Sequence, residues 1–181
     1  MSRIDSSPGG PPGVVCYLGL GSNIGNREQH LKDAIESIAA LEGVELSRVS
    51  SFHETEPVGF QDQPNFINAV LEARTLLSAR SLLEALQSIE DEMGRKRIRK
   101  WGPRCIDIDI LLFGNFRVSE PDLTIPHKDM HLRRFVLAPL CELIPDRKHP
   151  VAGLTFGQLL RDAEISGEAI GPRKKRRVSA L

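Results

Sequence analysis

Cys105-Ile106-Asp107-Ile108-Asp109-Ile110-Leu111-Leu112-Phe113 alternates apolar and acidic residues and then turns wholly apolar, the pattern of a β-strand. Side chains alternate faces along an extended chain, so Asp107 and Asp109 share one face while Ile106, Ile108 and Ile110 share the other. Two residues of rise separate the aspartate Cα atoms by roughly 6.6 Å. At that spacing two carboxylates repel by about 2.5 kcal/mol for an effective dielectric of about 20. A divalent cation removes the repulsion, and Mg2+ is commonly held by one or two carboxylates plus substrate phosphate oxygens. The same alternation also describes any sheet with one solvated face. The residues in front of the strand tip the balance. Residues 95–104 hold six cations (Arg95, Lys96, Arg97, Arg99, Lys100 and Arg104) and no acid, with Trp101-Gly102-Pro103 among them. Such a loop repels itself unless an anion visits. Cations suited to phosphate beside acids suited to a metal point to phosphoryl-group chemistry.

Working outward, the elements around this strand follow from periodicity. Residues 14–20 form an apolar run of strand length that ends in Gly19-Leu20-Gly21-Ser22-Asn23-Ile24-Gly25. The glycine spacing differs from the dinucleotide fingerprint and no Walker lysine follows, so the stretch is read as a tight strand-to-helix turn. Leu31, Ala34, Ile35 and Ile38 fall at helical spacing over residues 27–41, with Asn26 placed to cap. Residues 44–52 read as a strand, 53–64 as a polar, Pro- and Gly-containing loop suited to binding groups, and 66–76 as a strand that includes Asn68. A second helix is expected over residues 79–93, with Ser78 as cap and Leu82, Leu86, Ile89 and Met93 as its buried stripe. Gln87 and Glu90 lie one turn apart near its end, toward the basic loop. After the aspartate strand, Gly114-Asn115 suggests a hairpin into residues 116–119. Pro139 ends any helix begun near Phe135, and residues 155–160 form a short helix.

The order strand, helix, strand, strand, helix, strand predicts an α+β fold: a ferredoxin-like β-α-β-β-α-β antiparallel sheet with helices on one face, plus a C-terminal hairpin and short helices. Length allows one such domain, over residues 14–163 of the 181. Residues 1–13 read as a disordered lead, and 164–181 as a polar, then basic tail whose Arg-Lys run is a solvated segment.

Composition narrows the function. Lys and Arg number 24 and Asp and Glu number 24, so the positive field is local and fits a small anion better than a nucleic acid. Cys16, Cys105 and Cys141 are odd in number and widely spaced, which favours reduced thiols and a cytoplasmic setting over a disulfide framework or zinc site. No apolar run is long enough to span a membrane. His127 and His131 stand four apart, but Lys128 sits where a metalloprotease would have Glu. Together with Lys128, Arg133 and Arg134 they read as a second group of anion contacts.

Six stretches in this order resemble the 6-hydroxymethyl-7,8-dihydropterin pyrophosphokinase family of folate biosynthesis. They are Tyr17-Leu18-Gly19-Leu20-Gly21-Ser22-Asn23, Glu54-Thr55-Glu56-Pro57-Val58-Gly59, Asp62-Gln63-Pro64-Asn65-Phe66-Ile67-Asn68, Arg95 with Trp101-Gly102-Pro103-Arg104, Asp107-Ile108-Asp109-Ile110, and Ile125-Pro126-His127 through Arg133. The resemblance implies transfer of the β,γ-diphosphate of ATP to the pterin hydroxymethyl oxygen, with release of AMP. It also implies that Asp107 and Asp109 hold two Mg2+ ions and that Arg95 and Arg104 stabilise the transferring group. Gln87, Glu90, Arg97, Trp101, Ile110, His127 and Arg133 would meet the nucleotide. Phe66 and Phe135 would enclose the pterin, with Asn68, Thr55 and Val58 at its edge. A flat heterocycle suits two aromatic faces, and an amide offers the donor and acceptor a pyrimidinone edge needs. No general base is named. The partners implied are small molecules only, with no nucleic acid or membrane, and the protein is expected to be a monomer.

Two other families fit the sequence less well. A nucleotidyltransferase would place its Gly-Ser pair close before the acids, yet about 85 residues separate Ser22 from Asp107. An RNA-binding module on such a sheet would show exposed aromatics, whereas the chain has one Trp, one Tyr and seven Phe and no charge excess.

Overall fold

A computed structural model describes residues 13–58, 62–94 and 102–165. Seven strands and four helices are found among them: β1 (Val14–Ser22), α1 (Arg27–Ala39), β2 (Val44–Val49), β3 (His53–Thr55), β4 (Phe66–Thr75), α2 (Ala79–Glu92), β5 (Asp107–Phe113), β6 (Val118–Ser119), β7 (Thr124–Ile125), α3 (Arg134–Leu143) and α4 (Phe156–Ile165). A one-turn 3-10 helix, Met130–Leu132, precedes α3. The main sheet is antiparallel in the order β2-β4-β1-β5, with β3 also paired to β4. No helix among the described residues is long and apolar enough to cross a membrane.

The helix starts are set by side chains that satisfy otherwise unpaired N–H groups. Asn26 Oδ1 accepts from Gln29 N and Ser78 Oγ from Ser81 N, as their positions in the sequence suggest. Thr155 and Gln158 cap α4 reciprocally: Gln158 N donates to Thr155 Oγ1 and Thr155 N to Gln158 Oε1, which makes a capping box. The expected stripes are buried, with Leu31, Ala34, Ile35 and Ile38 on α1 and Leu82, Leu86 and Ile89 on α2.

Four expectations are corrected. Helices cover both faces of the sheet. Cys16, Leu18, Leu20, Ala69, Leu71, Ile108 and Ile110 pack with the stripes of α1 and α2. Tyr17, Val70, Leu111 and Leu112 face the other way and pack with Val136, Leu137 and Leu140 of α3 and Phe156 and Leu159 of α4. Strands apolar on both faces need two covers. Second, Pro139 lies inside α3 rather than ending it. Proline removes one hydrogen bond, the one to the Phe135 carbonyl, while Val136, Leu137 and Leu140 stay buried on either side of it. Third, the hairpin after β5 does not return to it; β6 pairs with β7, Val118 opposite Ile125. Fourth, part of the polar loop after residue 52 is strand β3, half-buried throughout, with His53 opposite Asn68 and Thr55 opposite Phe66. Its polar side chains are tolerated because an edge strand keeps one side open.

The C-terminal end of α3 clasps the approach to β3. Glu142 Oε2 accepts from Ser51 N at 2.8 Å, and Oε1 accepts from Ser51 Oγ at 2.6 Å and meets His53 Nε2 at 2.8 Å. Burial alone would push the Glu142 carboxyl up, but the Ser51 and His53 contacts outweigh it and its pKa is lowered. A carboxyl lowered in the fold contributes stability above its unfolded value, and that contribution fades as pH falls through the folded value. Glu142→Ala is therefore expected to cost about 1–2 kcal/mol in urea unfolding near neutral pH. The difference from wild type should shrink below about pH 4.5.

Candidate active site

The site is built where three strands present one face in register. Asn68 of β4 lies opposite Gly21 of β1, which lies opposite Asp107 of β5. The next row on the same face is Val70, Gly19 and Asp109. Gly19 and Gly21 belong to β1 itself, not to a strand-to-helix turn. What they supply is the lack of a side chain. A Cβ at Gly21 would stand 3.0 Å from Asn68 Oδ1, and one at Gly19 would stand 3.3 Å from the Leu111 side chain. The central strand is bare between an amide on one side and two carboxylates on the other.

Over this floor opens a cleft of about 910 Å³, counting its mouth. Its walls include Thr55, Val58, Phe66, Asn68, Arg104, Asp107, Asp109, Arg133 and Phe135, nine of the residues singled out from the sequence. The sequence reading missed Gly19, Gly21, Glu56, Gln63, Val70, Leu111 and Val136, which line it too. Val70 and Leu111 were within reach of the two-residue strand period, since they share a face with Asn68 and Asp109. Gln63 and Val136 carried no such signal, because loop closure and the docking of α3 place them.

Polar contacts fix the walls. Asn68 Nδ2 donates to Thr55 Oγ1 at 2.7 Å. The remaining amide hydrogen and Oδ1 of a residue only 7% exposed stay on the cleft side. The Arg104 guanidinium donates to Asp107 Oδ2 at 2.6 Å, a charge-assisted pair that offsets the repulsion between the aspartates. Arg133 is held by Asp129 at 2.8 Å and lies 5.8 Å over the Phe135 ring. His127 stands behind this wall rather than in it, with its main-chain N donating to Leu111 O. Burial holds its imidazole below the usual range; Arg133 and Lys128 add to that effect while Asp129 and Asp107 oppose it.

Three loops meet at Asn23, which is fully buried. Its amide donates to Gln63 Oε1 at 3.0 Å and Pro64 O at 3.2 Å, and its Oδ1 accepts from Arg104 N at 2.8 Å. Its own main-chain N donates to Arg104 O. Arg27 adds a second tie, donating to Glu54 Oε1 at 2.9 Å and Asn65 O at 2.7 Å. One side chain at the end of β1 therefore sets where both Gln63 and Arg104 stand.

Other sequence candidates lie elsewhere. Glu90 is buried on α2 and its Oε1 accepts from Ile108 N at 2.6 Å, along the outer edge of β5. Neither it nor Gln87 lines the cleft. Ile110 packs in the core under the sheet, on the face opposite Asp109. His131 and Arg134 are turned away from the cleft, His131 against His149 and Arg134 onto Glu164. Arg95, Arg97 and Trp101 lie outside the described residues, as do Lys96, Arg99 and Lys100. Among the described residues no group of three or more metal-ligating side chains is found. Asp107 and Asp109 are a pair of hard oxygen donors that would leave the rest of a cation's shell to ligand and water.

Comparison with known proteins gives a consistent picture. The family model described as 7,8-dihydro-6-hydroxymethylpterin-pyrophosphokinase (HPPK) matches residues 17–145. A 2-amino-4-hydroxy-6-hydroxymethyldihydropteridine pyrophosphokinase from Haemophilus influenzae is 46% identical over 133 residues, covering 74% of this chain and 83% of the relative. The Bacillus subtilis enzyme of the same name is 46% identical over 129 residues, covering 71% of this chain and 77% of the relative. Among solved structures, an HPPK-DHPS in complex with substrates superposes with a TM-score of 0.70 at 16% identity over 87% of this chain. A Plasmodium falciparum HPPK-DHPS with pterin and p-hydroxybenzoate gives a TM-score of 0.67 at 16% identity over 83% of this chain. At that identity the superpositions speak to fold alone, and this chain spans 44% of each of those longer chains.

Asn23→Ala removes a fully buried amide and leaves several loop groups unpaired at once. It is expected to cost about 2–4 kcal/mol in chemical denaturation.

Proposed function

The chain belongs to the 7,8-dihydro-6-hydroxymethylpterin-pyrophosphokinase family, and on that premise we propose how its own residues carry the reaction. The enzyme transfers diphosphate from ATP to the hydroxymethyl group of the dihydropterin in folate synthesis; AMP is the other product. The observation that carries the assignment of roles is the register of Asn68, Gly21 and Asp107 across three adjacent strands. It sets a pterin-reading amide and a metal-holding carboxylate about 10 Å apart with nothing standing between them.

In this reading the pterin lies flat over Gly21 between Phe66 and Phe135. Thr55 holds the Asn68 amide so that its free hydrogen and Oδ1 meet the donor and acceptor atoms of the pyrimidinone edge. Val58, on the rim, closes over the ring. The guanidinium of Arg133 backs Phe135 and keeps its ring upright for stacking. The hydroxymethyl group then points along the sheet toward Asp107 and Asp109.

The two carboxylates would hold two Mg2+ ions, which would supply positive charge to offset that of the ATP phosphates. Arg104, now paired with Asp107, is positioned to turn its donors onto the transferring group. By the family resemblance Arg95 would share that role. The family's phosphate and ribose contacts map here to Arg97, His127 and Arg133, with Trp101, Gln87 and Glu90 near the nucleotide. Ile108 N faces away from β1, onto Glu90, and by the strand period so do the main-chain groups of Ile110. Those groups are the ones an adenine edge would meet. Glu90 acts by setting that edge. Alignment and electrostatics carry the reaction, and no side chain is required as a strong base.

The enzyme is read as a cytoplasmic monomer with ATP and the pterin as its small-molecule partners. Its sheet order, with α1 and α2 as crossovers, is read as ferredoxin-like with an added C-terminal layer.

The test is product analysis. Incubation with Mg-ATP and 6-hydroxymethyl-dihydropterin is expected to yield AMP and pterin diphosphate in equal amounts; ADP or pyrophosphate from ATP would contradict the reading. Asp107→Ala and Asp109→Ala should each lower kcat by at least about a thousandfold while pterin binding by calorimetry changes little. Near-normal turnover in both variants would overturn the metal assignment. Gly21→Ala narrows the floor against Asn68 and is expected to raise KM for the pterin about tenfold or more, with KM for ATP nearly unchanged.

A further inference from the structure

His131 lies in the 3-10 turn between His127 and Arg133, yet its ring faces the C-terminal layer. It sits 5.5 Å, centroid to centroid, from the ring of His149, which in turn meets the Phe156 ring edge-on at 5.9 Å. His149 is 4% exposed. Its Nδ1 accepts from Val151 N at 3.2 Å and Ala152 N at 3.0 Å. A nitrogen that accepts two N–H groups carries no proton, so the neutral ring bears its hydrogen on Nε2. Burial, aided by His131 and Arg117, holds His149 below the usual imidazole range. Two buried ring nitrogens are left without a hydrogen-bond partner, His149 Nε2 and His131 Nδ1. The first is a donor, and the second is an acceptor in the tautomer of His131 that carries its hydrogen on Nε2; the two rings are neighbours.

We infer that His149 and His131 act as positioning residues for the nucleotide side of the site: the His149 Nε2–H is held against His131 Nδ1 and so fixes the 127–133 segment. The proposal rests on the reading that this segment contacts the nucleotide. The segment's other anchors are the fully buried Met130 side chain and the hydrogen bonds of its own main chain. His127 N reaches Leu111 O, and Met130 N and Asp129 N turn back onto His127. The histidine pair joins the turn to the loop that starts α4, where His149 N and O close the turn over residues 149–154. Through it the start of α4 and the loop before it help set where His127 and Arg133 stand.

Substitution separates the two ring nitrogens of His149. His149→Asn keeps an acceptor where Nδ1 was and removes the Nε2 donor; His149→Ala removes both. The His149→Asn enzyme is expected to unfold at nearly the wild-type temperature. Its KM for ATP should rise about three- to tenfold, the worth of one buried hydrogen bond, with KM for the pterin and kcat within about twofold of wild type. His131→Asn, which retains an acceptor near Nδ1, should keep the wild-type KM for ATP, and His131→Phe should not. Ring-nitrogen NMR of the 15N-labelled full chain near neutral pH should find His149 protonated on Nε2 and His131 unprotonated on Nδ1. An unchanged KM for ATP in His149→Asn, loss of kcat, KM and stability in parallel with His149→Ala, or a His149 protonated on Nδ1 would overturn the inference. If wild type itself releases no AMP, the assignment of the reaction fails, and the ring-nitrogen spectrum still judges the pair.

Discussion

The rest of the structure depends on a row with no side chain in its middle. Antiparallel pairing sets Asn68, Gly21 and Asp107 side by side, and Val70, Gly19 and Asp109 one pleat further on. Any residue but glycine at 21 would place a methyl group against the Asn68 carboxamide. The bare strand keeps an amide and two carboxylates on one open surface. A sheet face with this much unfilled space must be closed by something, and helix α3 does so only in part. Val136 and Leu137 seal the apolar end against Leu111 and Val70, while Phe135 and Arg133 stop at the edge of the cleft.

Electrostatics follow from the same placement. Two acids on one face of an edge strand repel, and the fold answers with Arg104 on Asp107. That guanidinium reaches its place because Asn23, at the end of β1, holds the Arg104 main chain at both N–H and carbonyl. Asn23 also holds Gln63 and Pro64. The aromatic side of the cleft and the charged side are therefore tied to the same buried amide.

Much of this was legible in the sequence, and the reasons differ by element. Asp107 and Asp109 announce a shared face by strand period alone. The helix stripes, the Asn26 and Ser78 caps and most strand bounds follow from periodicity and capping. Periodicity failed where one pattern has two meanings. Gly19 and Gly21 look like a turn because glycine is usual there; their role as a floor depends on Asn68 across the strand pair, a contact no local pattern encodes. Pro139 signals a helix end, and packing on both sides of it overrode the signal. His131 and Arg134 looked like partners of His127 because they are near it in sequence. The structure instead packs the His131 ring against His149 and pairs Arg134, at the start of α3, with Glu164. The residues that the family motifs single out, Phe66, Asn68, Arg104, Arg133 and Phe135, line one cleft, but the motifs say nothing of the second helical layer beside Arg133.

The central claim is that this carboxylate pair holds divalent cations against a triphosphate at one end of a pterin slot. Crystals grown with Mn2+, a nonhydrolysable ATP analogue and the dihydropterin would test it most directly, through anomalous scattering. The account predicts anomalous peaks within coordination distance of both Asp107 and Asp109, with phosphate oxygens completing the shells and the pterin between Phe66 and Phe135. Manganese located away from both aspartates, or a pterin bound outside the Gly21 row, would contradict it.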